Sequence, residues 1–152
     1  ALELGAVSAG IAPLNPRYLY SHAGRGPDPW GSEIKNDHAF VLTFAVEMRW
    51  RAVDQAPYIG ITAETAQQYL RAQHVSITLA AYIRLLGYSA RAHISGSNYQ
   101  VILPAVAHEA GLGELGRCGY LLSPRYGARI RLGAVTTDLP LKTDRPIRFG
   151  VQ

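Results

Sequence analysis

Hydrophobic positions along the chain fall into segments of two different periods. Residues 39–48, AFVLTFAVEM, are rich in aromatic and β-branched types between the polar stretches KNDH and RWR, which predicts a largely buried strand. Residues 62–86, TAETAQQYLRAQHVSITLAAYIRLL, contain no glycine or proline. Leu70, Ile77, Ala80 and Ile83 recur there at helical spacing, so a long helix is predicted with that stripe toward the core. Thr62 suits its N-cap, Glu64 its first turn and Gly87 its stop, and the pattern weakens at residues 74–76, where a break is expected. Residues 88–95, YSARAHIS, alternate like a strand, a short GSN turn follows, and residues 101–110 return to a helical pattern with Pro104 in the first turn and Gly111 as its stop. The last third reads as two strands, GYLL and ARIRLGAV, around the turn SPRYGA. Residues 21–38 are crowded with glycine and proline and predict a surface loop of a length that often carries function. No repeat, low-complexity tract or linker divides the chain, so the pattern as a whole predicts one α+β layered domain.

Composition narrows this picture. At 152 residues the chain can bury a core without staples, and no apolar run is long enough to cross a bilayer. It starts at Ala1 in ALELGAVSAGIAPL, which already reads as packed structure, so an excised or processed segment is expected and a missing leader says nothing of location. The formal charge of +4 comes almost wholly from arginine, because Lys35 and Lys142 are the only lysines. The arginines are scattered, densest at Arg125, Arg129 and Arg131, with no basic run interleaved with aromatics, so no nucleic-acid partner is expected. Cys118 is alone, which excludes a disulfide framework or a cysteine metal cluster within the chain and suggests a buried structural thiol. His22, His38, His74, His93 and His108 lack metal-ligand spacing and read as surface or hydrogen-bonded residues, and no protein metal site is predicted.

Gly111, Gly113 and Gly116 have the G-x-G-x-x-G spacing of the dinucleotide fingerprint. That fingerprint needs a strand before the glycines and a helix after them, so that the helix N-terminus meets a pyrophosphate. Here LPAVAHEA before them reads as helix, and CGYLLSP after them is broken by Pro124. The order is reversed, and the glycines need another explanation.

The order helix, strand, turn, helix, glycine turn, hairpin carries specific wording. The runs YIRLLGY, SGSN, LPAVAHEAGLGELGR, LLSPRYGARIRLGAVTTDLPL and DRPIRFGV closely resemble the corrinoid-binding catalytic domain of reductive dehalogenases. The likeness spans most of the chain and is strongest over residues 69–151; the opening ELGAVSAGIAPLNPRYLYSH is similar but less specific. The resemblance implies a nitroreductase-like layered sheet with flanking helices, in a single domain of residues 1–152. It also implies that Gly111, Gly113, Gly116 and Arg117 help hold a base-off cobalamin rather than a dinucleotide. Tyr69 matches the family's proton donor, and Asn98 and Arg131 match the polar residues that position and polarise it.

The chemistry explains why those types are wanted. Reductive cleavage of a carbon–halogen bond takes two electrons and one proton and releases a halide. A phenol, with a free pKa of about 10, is too weak an acid to waste electrons on hydrogen, and a nearby cation eases proton delivery. Arginine also attracts a leaving anion, and asparagine supplies both a donor and an acceptor without charge. Cobalt would perform the electron chemistry while the protein orients the partners.

Family members continue into cysteine clusters that hold two iron-sulfur centres, and this chain ends at Gln152. The resemblance therefore implies a fragment, or a unit served by a separate electron-donor protein, acting on an organohalide without direct membrane contact. The run GELGRCGYLLSPRYG resembles the soluble catabolic type, which implies a cytoplasmic location, with export to the outer face of the membrane as the alternative. Three other functions stay open: a cobalamin carrier or processing module, an epoxyqueuosine reductase-like enzyme and a flavin nitroreductase. Against the second, no Asp or Glu lies between Ser95 and Ala107 to serve as its carboxylate donor.

Overall fold

The computed structural model describes residues 1–24, 28–94 and 99–151. Strand β1 (Ser8–Pro13) is followed, after the long loop, by β2 (Phe40–Glu47), one turn of helix α1 (Trp50–Val53) and the long helix α2 (Ile59–Leu85). Then come β3 (Ala90–His93), α3 (Leu103–Glu109), the two-residue strands β4 (Glu114–Leu115) and β5 (Leu121–Leu122), and β6 (Ile130–Thr137). The main sheet has the order β1-β2-β6-β3 with every neighbour antiparallel, and β4 pairs with β5 as a separate small sheet.

Strand β2 lies inside this sheet with both faces covered, which is why its sequence is an almost unbroken apolar run. Val41 and Ala45 face Val106, Ala107 and Ala110 at α3, whereas Phe44 and Val46 face Ala72 and Val75 of α2. The result is an α+β sandwich of helix, sheet and helix. Among the described residues no helix is long and apolar enough to cross a membrane.

Several sequence expectations change. Helix α2 starts at Ile59 with Tyr58 at its N-cap, so Thr62 lies inside the helix and Glu64 beyond its first turn. The helix does not break at residues 74–76, because Val75 and Ser76 sit against the sheet, each 0 % exposed. Gly87 does stop it, in the left-handed region at φ +91°. The core-facing stripe is Glu64, Gln68, Ala72, Val75, Ser76, Ala80 and Ile83, while Leu70 and Ile77 are 67 % and 45 % exposed. Close approach of α2 to the sheet selects small side chains there, and Glu64 and Gln68 share a hydrogen bond, so of the predicted stripe Ala80 and Ile83 face the core and Leu70 and Ile77 do not.

GYLL and ARIRLGAV form no hairpin with each other. β5 pairs back across the glycine turn with β4, β6 is claimed by β2 and β3, and only an isolated Ser123–Gly127 bridge closes the turn between them. Cys118 is exposed rather than buried, since it sits in the tight turn between β4 and β5, closed by the Gly116 amide on the Tyr120 carbonyl. Ser95 and the GSN turn lie outside the described residues.

Candidate functional site

Strand β3 pairs only with residues 134–137 of β6. Beside the preceding stretch of β6, which no described strand covers on that side, opens a cavity of about 510 Å³. Its walls come from both layers. Tyr69 reaches it from α2 and Arg131 from β6; Leu103 and Pro104 stand at the start of α3, and Tyr20, Tyr99, Tyr120 and Leu121 complete the rim. A space of this size with apolar walls and a few polar groups fits a small organic molecule.

Tyr69 and Arg131 are brought into contact. The Arg131 guanidinium lies over the Tyr69 ring, 5.3 Å from its centroid. Its Nη1 donates to the Ile130 carbonyl at 3.1 Å and its Nη2 to Thr65 Oγ1 at 3.3 Å. The buried Nε has no partner among the described residues. Arg49, Arg91 and Arg129 each meet a carboxylate, but no described acid lies within ion-pair distance of Arg131. An uncompensated guanidinium at a cavity wall attracts an anion. The lining also carries Tyr20 and Tyr99, their rings 6.3 Å apart and tilted by 42°.

Asn98 lies outside the described residues. The three glycines of the turn have reasons within the fold. At Gly111, φ is +75° and a Cβ would come 2.5 Å from the Arg145 carbonyl oxygen. At Gly113 a Cβ would collide with the Leu122 carbonyl oxygen, so this glycine lets β5 approach and seats Leu121 in the cavity wall. Gly116 backs onto Leu122, and Arg117 is exposed on the turn, away from the cavity lining. Sequence reasoning missed Tyr20, Tyr99 and Tyr120, each a single aromatic in irregular chain. The available signal was compositional, nine tyrosines against three phenylalanines, an excess of aromatics with a polar tip.

His22, His38, His93 and His108 make hydrogen bonds, and His74 is exposed. His93 is 1 % exposed and held near pKa 3, first by burial and then by the charges of Arg91 and His38. His108 Nδ1 bonds the Gly113 carbonyl at 3.0 Å. Among the described residues no group of three His, Cys, Asp or Glu side chains is placed to hold a metal.

A second, larger hollow of about 1090 Å³ lies between α1 and α2, lined by Arg49, Trp50, Gln67, Gln68 and Arg71. Several of its polar groups are engaged with one another. Beneath it the buried Glu64 accepts from the Arg49 amide and Nε, both at 2.7 Å, and from Gln68 Nε2 at 2.9 Å. Burial alone would raise the Glu64 pKa, and these hydrogen bonds outweigh it and hold the carboxyl below its usual range.

Comparison with known proteins finds relatives of the chain and of its fold. A family model described as a reductive dehalogenase subunit matches residues 33–141. The tetrachloroethene reductive dehalogenase of Desulfitobacterium hafniense is 31 % identical over 98 % of this chain and 33 % of its own length. That of Sulfurospirillum multivorans is 36 % identical over 78 % of this chain and 23 % of its own. The chain thus spans about a third or less of the curated dehalogenases it matches. A solved catabolic reductive dehalogenase superposes with a TM-score of 0.86 at 30 % identity, over 97 % of this chain and 21 % of that one. Epoxyqueuosine reductase shares the fold at a TM-score of 0.62 and 14 % identity.

Proposed function

The chain belongs to the reductive dehalogenase family, and on that premise we propose that residues 1–152 form the catalytic domain of a cobalamin-dependent enzyme that replaces a halogen on an organic substrate by hydrogen. A solved relative is described in terms of B12-dependent dehalogenation. The observation that carries the reading is the Arg131 guanidinium, without a described acid partner, over the face of Tyr69 at the wall of an aromatic cavity.

Tyr20, Tyr99, Tyr120 and Leu121 would hold one edge of a corrinoid, offering flat apolar surface with hydroxyls to a broad macrocycle edged with amides, and the space beside Tyr69 and Arg131 would take the organic substrate. When bound, the corrinoid supplies the two electrons. The remaining work falls to the chain. Tyr69 Oη holds the proton that ends on carbon, so that substrate, two electrons and one proton become the dehalogenated product and halide. Arg131 draws the departing halide, or an electron-rich substrate, to the same wall. Asn98 fixes the phenol or substrate by donating and accepting hydrogen bonds without adding charge. The glycine turn contributes by building the wall behind Leu121. Electrons arrive from iron-sulfur centres carried outside these residues, and we place the enzyme with the soluble, cytoplasmic type.

Spectral titration with cobalamin tests the cofactor, and Tyr69→Phe tests the proton donor, both in the iron-sulfur-replete enzyme. A stoichiometric endpoint with a base-off spectrum is expected. Tyr69→Phe is expected to bind cobalamin as tightly and to lose at least about a hundredfold in turnover. A protein that does not bind cobalamin overturns the cofactor, and unchanged turnover in Tyr69→Phe removes it from the mechanism.

A further inference from the structure

Around Gln100, next to Tyr99, lies a polar array, buried at His93 and Thr136 and exposed at Ser89, that the proposed chemistry does not use. His93, at the end of β3, accepts the Gln100 N–H on Nδ1 at 3.1 Å, which places its own proton on Nε2. Nε2–H then donates to Thr136 Oγ1 at 2.9 Å. The Thr136 hydroxyl also accepts from Asn36 Nδ2 at 3.1 Å. With both lone pairs engaged it gives its hydrogen to His38 Nδ1 at 2.9 Å, leaving His38 Nε2–H for Ser89 Oγ at 2.8 Å. One placement of protons satisfies all of these bonds. The Gln100 carbonyl, in the next peptide along, accepts the Tyr20 N–H at 2.9 Å.

We infer that His93 is a positioning residue for the Tyr20–Tyr99 wall of the cavity. Its neutral imidazole holds the N–H of the Tyr99–Gln100 peptide and so fixes the backbone of Tyr99 directly. Through Gln100 it reaches the next peptide, whose carbonyl holds the Tyr20 N–H. His93 is absent from the cavity lining, so it acts only through the two tyrosines. The inference rests on the cavity being the corrinoid-dependent site, and it deepens that reading by naming what sets the geometry of the wall.

His93→Leu removes both hydrogen bonds at similar volume. His93→Gln restores an acceptor and a donor at nearly the imidazole spacing. Cobalamin titration and amide hydrogen exchange on wild type and both variants, in the full enzyme, form the test. His93→Leu is expected to keep its protected amides across β1, β2 and β6, to exchange the Tyr20 amide at least tenfold faster and to bind cobalamin at least tenfold more weakly. His93→Gln is expected to recover both. A folded His93→Leu with wild-type exchange at Tyr20 overturns the proposal, and so does a His93→Gln as impaired as His93→Leu. Should His93→Leu not fold, Thr136→Val, which removes the hydroxyl that orients His93, carries the same expectations and the same overturning results. If the wild type itself fails to bind cobalamin, the reading of the cavity falls, while the Tyr20 exchange rate still decides whether His93 positions the wall.

Discussion

Among the described residues Arg49, Arg91 and Arg129 each face a carboxylate, and Arg131 faces an aromatic ring. An ion pair would neutralise the guanidinium, whereas a ring face leaves its charge available to a ligand and adds about 0.5–1 kcal/mol where solvent reaches it. Arg131→Lys keeps the charge and loses both the planar stack and the fork that holds Thr65 and the Ile130 carbonyl. Turnover of an organohalide is expected to fall at least tenfold, with unfolding free energy changed by no more than about 1 kcal/mol. Parallel measurement of kcat/KM and urea unfolding checks this, and wild-type kcat/KM in Arg131→Lys would show that charge alone suffices. Tyr69 and Arg131 were legible from the motifs around them. Their contact was not, since one lies on a helix and the other on a strand, and only the fold brings them together. Tyr20 and Tyr99 were illegible because a tyrosine in a loop reads the same whether it lines a cavity or meets solvent.

Helix α2 buries mostly small and polar side chains and leaves several large apolar ones in water. Toward the sheet it presents Glu64, Gln68, Ala72, Val75, Ser76, Ala80 and Ile83; away from it, Ile59, Leu70 and Ile77 meet solvent. Its existence and stop were legible, because a long run without glycine or proline that ends at Gly87 is local information, whereas its start at Ile59 and its continuity through residues 74–76 were not. Its orientation was not, because that depends on how near the sheet approaches and on Arg49 arriving to neutralise Glu64. The exchange of faces gives a sharp contrast. Leu70→Ala removes a side chain already in water and is expected to change stability by less than about 0.5 kcal/mol. Val75→Ala, smaller as a chemical change but fully buried against Phe44 and Val46, is expected to cost about 1–3 kcal/mol. Chemical denaturation of the two variants measures both, and a costly Leu70→Ala would show that something covers this face in solution.

At the scale of the whole molecule, acid should undo the fold in two stages that belong to different layers. His93, between the sheet and the Gln100 segment, stays neutral in the folded protein down to about pH 3, whereas in the unfolded chain it takes up a proton below about pH 6.5. Its folded pKa is depressed, so the unfolded state binds the extra proton. Stability therefore falls with a slope of about 1.4 kcal/mol per pH unit from below pH 6.5 toward pH 3. Glu64, between α1 and α2, also has a depressed pKa, but as a carboxylate it adds stability above its unfolded value of about 4.3 and loses it as pH falls through the lower folded value. The two contributions separate in pH. Between pH 6.5 and 5, His93→Gln is expected to flatten the decline while Glu64→Gln runs parallel to wild type, displaced downward by about 2 kcal/mol for the lost charged hydrogen bonds. Below pH 4 the Glu64→Gln curve is expected to converge on wild type as the native carboxylate protonates. Urea unfolding at closely spaced pH values resolves both slopes. An unchanged slope between pH 6.5 and 5 in His93→Gln would mean that protonation of His93 in the unfolded chain does not drive the decline, and would place the acid sensitivity at another group.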